Sequence, residues 1–370
     1  MKVGILTMHR VKNYGSALQA YALQQILFML GKDNEIIDYV YPNERHIKIP
    51  FFKKIIFLLK CRLFWLIKGK KKPEIDKYDI FIDKFIKTSK KQFKSPISLK
   101  YGCSKYDIYM TGSDQVWNNR WLNGDNSFFF PFINGKKKIK VSYAASFGSI
   151  ITSDKNISKW INQIIDYKNI SVREKNGETL IKKYIDRDAE VVLDPTLLLS
   201  KNEWLKNFGN NNYKENYILV YILSYAWNPM PYANDFIEHY AKTLNLPIKI
   251  ITAPDEIIER HPEWELLEDV GPIEFINLFA NANLVITSSF HGTAFATNFE
   301  VPFYSILENE NPGDDRQLSL LKLLVLQDRG IALGSPFPKL EDIDWEYSRK
   351  ILNIEREKCI QYITNITNIQ

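Results

Sequence analysis

The chain has 370 residues, 45% hydrophobic and 25% charged, a balance that excludes a disordered or fibrous protein and leaves room for two domains. Its three cysteines, Cys61, Cys103 and Cys359, are far apart and odd in number, which argues against a disulfide framework or a cysteine metal cage. The net charge of +6 is unevenly spread: positions 48–100 hold 16 Lys/Arg against 4 Asp/Glu, so the remainder is acidic overall.

In chain order, "KVGILTM" (2–8) reads as a buried strand and "HRVKNYGS" as a polar turn. "ALQAYALQQILFMLG" follows as a helix, with apolar residues at 18, 22, 26 and 29 and a closing Gly31. "EIIDYV" (35–40) completes a βαβ unit. A basic helical insertion is expected at about 46–100. Within it, "FFKKIIFLLKCRLFWLIKGKKK" (51–72) places Lys53, Lys54, Lys60 and Lys68 within about 120° of a helical wheel. Phe52, Ile55, Ile56, Leu59, Leu63 and Leu66 cover much of the rest. Two readings stand: an interfacial helix on an anionic membrane surface, or a helix packed on its own domain with a solvated lysine face. Nucleic acid is not an expected partner, because no recognised binding module accompanies the lysines.

Further strands are expected at 106–111, 140–147, 169–173, 189–194, 216–223, 247–252, 283–289 and 301–307, with helical patterns at 154–167, 175–185, 231–244 and 272–282. Continuous apolar strands with helices between them predict an α/β protein whose parallel sheets are covered on both faces. The polar run "KNFGNNNYKEN" sets the expected domain boundary: residues 1–205 as one Rossmann-like domain, 206–370 as a second ending in a helical tail. No run approaches 18 apolar residues and no signal pattern opens the chain, so the expected location is cytoplasmic.

Polar residues gather where these strands end: Asn13-Tyr14-Gly15, "TGSDQVWN" (111–118), "AASFG" (144–148), "VREK" (172–175) and "SSFHG" (288–292). Open α/β sheets bind ligands at that edge, so residues of both halves are expected to converge on one cleft.

Taken together and in order, "GILTMHRVKNYGSALQAYALQ", "YMTGSDQVWN", "VSYAASFG", "SVREKNG", "VVLDPTLLL" and "ITSSFHGTAFA" resemble the polysaccharide pyruvyl transferase family across most of the chain. The resemblance implies two Rossmann-like domains facing across a cleft, as in the GT-B glycosyltransferases. It also implies transfer of pyruvate from phosphoenolpyruvate to a pair of sugar hydroxyls, forming a ketal during capsule, exopolysaccharide or cell-wall glycan assembly. Arg173 and His291 carry over as contacts to the donor. Ser289-Phe290-His291 departs from the Arg-Leu-His of other branches, and Arg316 is the cation expected to compensate.

The residue chemistry fits in part. Phosphoenolpyruvate has a carboxylate and a phosphate of about −1.5 to −2 charge, which call for fixed cations and oriented N–H donors. Arg173 suits bidentate contact, though a salt bridge with Glu174 or another acid is its alternative. Ser289 and Phe290, with backbone amides of Gly292 and Thr293 opening a helix, complete the expected donor side. His291 is the expected proton donor and Asp114 the expected base toward a sugar hydroxyl, although Asp in Gly-Ser-Asp also reads as a helix cap. Asn13, Gln19, Gln115 and Asn118 would bond the acceptor sugar, and Tyr14 and Trp117 would offer flat apolar faces to it. No cofactor or metal is called for. The acceptor would be lipid-linked or nucleotide-linked, with the enzyme cytoplasmic or peripheral on the inner face of the cytoplasmic membrane. The alternatives are a GT-B glycosyltransferase using a nucleotide-sugar and a non-catalytic scaffold at the membrane.

Overall fold

In a computed structural model, the described residues are 1–40 and 76–368, apart from positions 123, 134, 136, 137, 149, 151, 154, 211–214 and 311–315. The amphipathic segment expected at 51–72 lies outside them.

Most stretches of continuous apolar or β-branched residues become buried parallel strands, because helices cover both faces of their sheets, whereas "AEVVLD" gives only a two-residue exposed strand, Glu190–Val191. The first sheet comprises β1 (Lys2–Leu6), β2 (Asp33–Ile36), β3 (Ile108–Thr111) and β4 (Ile139–Ser142), in the order β2-β1-β3-β4. Ile5 pairs with Ile36 on one side and Met110 on the other, which sets the register. Isolated parallel bridges, Val141 to Asn169 and Ala145 to Val172, lead on to β5 (Ser171–Val172) and β6 (Glu190–Val191).

The second sheet contains β7 (Ile218–Tyr221), β8 (Ile248–Thr252), β9 (Glu265–Leu266), β10 (Leu284–Thr287), β11 (Phe303–Leu307) and β12 (Gly330–Ala332). Its order is β12-β11-β10-β7-β8-β9, again parallel throughout. The short β9 and β12 have no counterpart in the sequence reading. They lie at the two sheet edges and are too short to show a pattern.

The helix Tyr14–Met29 starts where Asn13 accepts a hydrogen bond from the Ser16 amide (3.3 Å). It is buried along most of its length, as an all-round apolar helix must be, because it is packed between the two sheets' layers. The core runs unbroken through the domain border. Tyr14 stacks on Phe275 with centroids 4.6 Å apart, and Trp204 meets Tyr21 at 5.6 Å and Phe295 at 5.4 Å.

The last helix, Trp345–Thr367, does not stay with the second sheet. Leu193 N–H donates to Cys359 Sγ (3.3 Å) and the Tyr362 hydroxyl to the Ser142 carbonyl (3.4 Å). Arg356 donates both to Leu197 O and to Asn298 Oδ1, each at 2.6 Å. The tail thus ties the second domain back to the first.

Candidate functional site

Parallel strands deliver their loops to one edge, and here both sheets turn that edge toward a shared cavity of about 580 Å³. From the first domain come Met8, Lys12, Asn13 and Ser16 after β1, and Asp114, Gln115 and Trp121 after β3. The second contributes Leu223, Tyr225 and Trp227 after β7, Ser288 to His291 after β10, and Arg316 with Gln317.

Behind one wall lies a compact charged cluster. Arg173, only 1% exposed, donates from Nη1 to Asp194 Oδ2 (2.6 Å) and from Nη2 to Asp114 Oδ1 (3.4 Å). Its guanidinium also lies 4.4 Å from the Phe290 ring centroid. Asp194 spends its other oxygen on the Thr196 amide (2.9 Å) and hydroxyl (2.7 Å). Asp114 accepts a short bond from the Ser16 hydroxyl (2.5 Å) and one from the Gln115 amide (2.8 Å). Burial alone would push both carboxyls up. Arg173 and His291 outweigh it: Asp194 is held well below the usual carboxylate range, and Asp114 is lowered with added help from Ser16 and Arg316. Both are anions in the folded protein.

His291, in the first turn of the helix Phe290–Phe299, reaches this cluster from the other domain. Its Nε2 is 3.4 Å from Arg173 Nη1 and 3.8 Å from Asp194 Oδ2. The ring lies directly against the backbone of Gly15. A Cβ at that position would stand 1.9 Å from Nδ1 and 2.0 Å from Cγ, so only glycine admits the histidine.

The sequence profile of the polysaccharide pyruvyl transferase family matches residues 13–310. The chain belongs to that family. No curated protein sequence matches it. Among solved structures it is similar to the S. aureus MnaA–UDP co-structure, with a TM-score of 0.54 at 10% identity over 98% of this chain and 90% of that one. UDP-GlcNAc 2-epimerase from Methanocaldococcus jannaschii gives 0.49 at 14% identity, over 96% and 93% of the two chains. At 10% identity the likeness to the S. aureus MnaA structure is one of fold, the two-domain GT-B type.

Within this pyruvyl transferase family member, the cavity wall holds Asn13, Asp114, Gln115, Ser289, Phe290, His291 and Arg316 of the residues the sequence pointed to. Arg316 lies beyond the matched range, yet it stands on the same wall as Ser289, with its guanidinium 5.8 Å from the Phe290 centroid. The others stand away from the wall, each for a packing reason. Arg173, expected as a donor contact, is bonded to two aspartates behind the wall. Glu174, its alternative partner, instead accepts from the Phe147 (2.8 Å) and Gly148 (3.3 Å) amides.

Tyr14 is stacked on Phe275, and Trp117 is fully buried, parallel to Phe129 at 5.9 Å. Gln19 donates to Thr7 Oγ1 (2.8 Å) and the Ser16 carbonyl (2.9 Å), and Asn118 caps the turn that follows by accepting from Arg120 N–H (3.0 Å). Gly292 lies against Thr287, whose Oγ1 would be 2.4 Å from a Cβ there. The Thr293 amide is already bonded to Ser289 O (2.7 Å).

Asp194, Ser16, Trp121, Tyr225 and Trp227 were not anticipated. Asp194 sits in "LDPT", where an aspartate before Pro-Thr reads as a cap, and its ion-pair partner Arg173 belongs to a different strand end. The aromatic loop "SYAWNPM" after β7 was a usable signal, since aromatic side chains at a strand's C-terminal end face the ligand edge.

Proposed function

We propose that the cavity binds phosphoenolpyruvate beside a sugar acceptor and forms a pyruvate ketal with release of phosphate. The reading is carried by His291 and Asp114, which come from opposite domains to one cavity wall, with Arg316 on the same cavity. One sugar hydroxyl oxygen bonds to the central carbon of the donor as a proton reaches the methylene carbon. A second hydroxyl oxygen then replaces phosphate at that carbon, and the two hydroxyl protons end on the new methyl group and on phosphate. His291 delivers the proton. Arg316, His291 and the first-turn amides of Phe290 and His291 face the donor's anionic groups. Asp114, ionised and anchored by Ser16 and Arg173, accepts a hydrogen bond from the acceptor hydroxyl and orients it. Arg173 and Asp194 are positioning residues that fix Asp114 and His291 from behind.

Trp121 and Tyr225, from opposite domains, meet edge-to-face at 5.8 Å on this cavity, and we assign them to the acceptor ring in place of Tyr14 and Trp117. Trp121→Ala is expected to raise the acceptor KM about tenfold while leaving the phosphoenolpyruvate KM near the parent's. The acceptor would be a lipid-linked or nucleotide-linked precursor of a surface glycan, modified in the cytoplasm.

The experiment is to incubate the full chain with phosphoenolpyruvate and candidate glycans, measuring phosphate release and the ketal methyl signal by proton NMR. Equimolar phosphate and ketal are expected. Saturable binding of a nucleoside diphosphate, with no binding of phosphoenolpyruvate, would overturn the reading in favour of glycosyl transfer from a nucleotide-sugar.

Gly15→Ala gives a second check. In an open helix the change would stabilise by up to about 1 kcal/mol. Here the new methyl group occupies the space of the His291 ring, so turnover is expected to fall at least about a hundredfold as His291 is displaced. Turnover close to the parent's, in a variant that melts at the parent's temperature, would remove His291 from the chemistry.

A further inference from the structure

Among the described residues, no helix is long and apolar enough to cross a membrane. We propose that the helix Pro96–Gly102, with the lysine-rich sheet edge before it, docks on an anionic lipid bilayer.

Ser95 caps this helix in a reciprocal box with Ser98, and Leu99 is buried beneath it. Four residues apart, and therefore on one face, Ile97 is 70% exposed and Tyr101 78% exposed. They form an adjacent pair of large side chains open to solvent on one helix face. The flanking sequence is rich in lysine. Positions 84–105 contain seven lysines and no acidic residue. Two of these are neutralised locally, Lys87 by Asp33 and Lys105 by Glu35. Among the described residues, Lys90, Lys91, Lys94 and Lys100 enter no ion pair.

Position in the fold gathers them. Tyr39 and Phe93 form a parallel bridge, so the run 88–93 lies along the edge of the first sheet, beside β2. The Lys91 ammonium would be 3.4 Å from a Cβ at Gly102, which places it at the C-terminal end of the helix next to Tyr101. Lys100 lies 5.6 Å from the Tyr101 ring centroid. The result is an apolar pair with Lys91 and Lys100 beside it and Lys90 and Lys94 on the segment that leads into the helix. In a bilayer interface Ile97 and Tyr101 reach the acyl boundary while the lysines meet lipid phosphates. Nucleic acid would use the charges but leave Ile97 without a role. The proposal is independent of the reaction in the cavity.

The test is sedimentation of the full chain with vesicles of phosphatidylcholine alone or of an equimolar mixture with phosphatidylglycerol. Binding to the mixed vesicles that weakens with added salt is expected, with at least about tenfold weaker binding to phosphatidylcholine. Changing Lys90, Lys91, Lys94 and Lys100 together to Gln should weaken binding to the mixed vesicles at least about tenfold. Ile97→Ser with Tyr101→Ser should weaken it several-fold even at low salt, since buried apolar area is then lost. All three proteins should melt at the same temperature, because every altered side chain is exposed. Parent-like binding by either variant would overturn the proposal. So would equal binding to both kinds of vesicle, or binding to duplex DNA that is tighter than to vesicles and indifferent to Ile97 and Tyr101.

Discussion

His291→Asn is expected to bind phosphoenolpyruvate within about tenfold of the parent and to lose roughly 10² to 10⁴ in turnover, the range of general acid catalysis. Asparagine is smaller than histidine, so it fits over Gly15, and it retains a polar group facing Arg173 and Asp194. It cannot carry a proton to carbon. Titration calorimetry with phosphoenolpyruvate and phosphate release with a matched acceptor separate binding from turnover. A variant that turns over like the parent would mean that "SSFHG" shapes the chain without taking part in the chemistry.

Arg173→Ala is expected to act first on stability. The side chain separates two buried carboxylates, Asp114 and Asp194, and removing it leaves both without their main cation. Breaking a buried pair in this way costs about 3–5 kcal/mol, to be read by urea unfolding at neutral pH. The sign of the pH effect follows from the depressed pKa of both groups in the parent. Their contribution is complete above the unfolded carboxylate value of about 3.9 and is lost as pH falls toward the folded values. Without Arg173 the two carboxylates repel, and protonating one of them relieves the strain. The stability gap between parent and variant should therefore narrow on moving from neutral to acidic buffer, and Asp194→Asn in the Arg173→Ala background should restore part of the loss. An Arg173→Ala protein as stable as the parent, weakened only in phosphoenolpyruvate affinity, would return Arg173 to the donor contact first expected of it.

Much of this architecture was legible because its signals are local. Continuous apolar runs such as "YILVYIL" and "NLVITSS" gave parallel strands, and the polar residues after them identified the edge where Asn13, Asp114 and His291 converge. The direction of a side chain is set by packing that the local pattern does not contain. Tyr14 and Trp117 had the right chemistry for a sugar platform, yet Phe275 and Phe129 claim their faces. Trp121, four residues after Trp117, turns to the cavity instead. Arg173 was legible as the partner of some acid, but which acid depended on the distant Asp194 and Asp114. The return of the final helix to the first domain was equally hidden, since its apolar stripe does not say which domain it covers.

The close passage of His291 over Gly15 bears on how the two halves can be recombined. Each domain has its own sheet, which invites exchange of one half for that of a relative, with the crossover placed in the connection between β6 and β7. Such a chimera would inherit a histidine from one parent and the surface it rests on from the other. Compatibility then turns on one atom: a first domain with any side chain at position 15 rejects this second domain. Swaps that preserve glycine there should yield active hybrids more often than swaps chosen by overall identity.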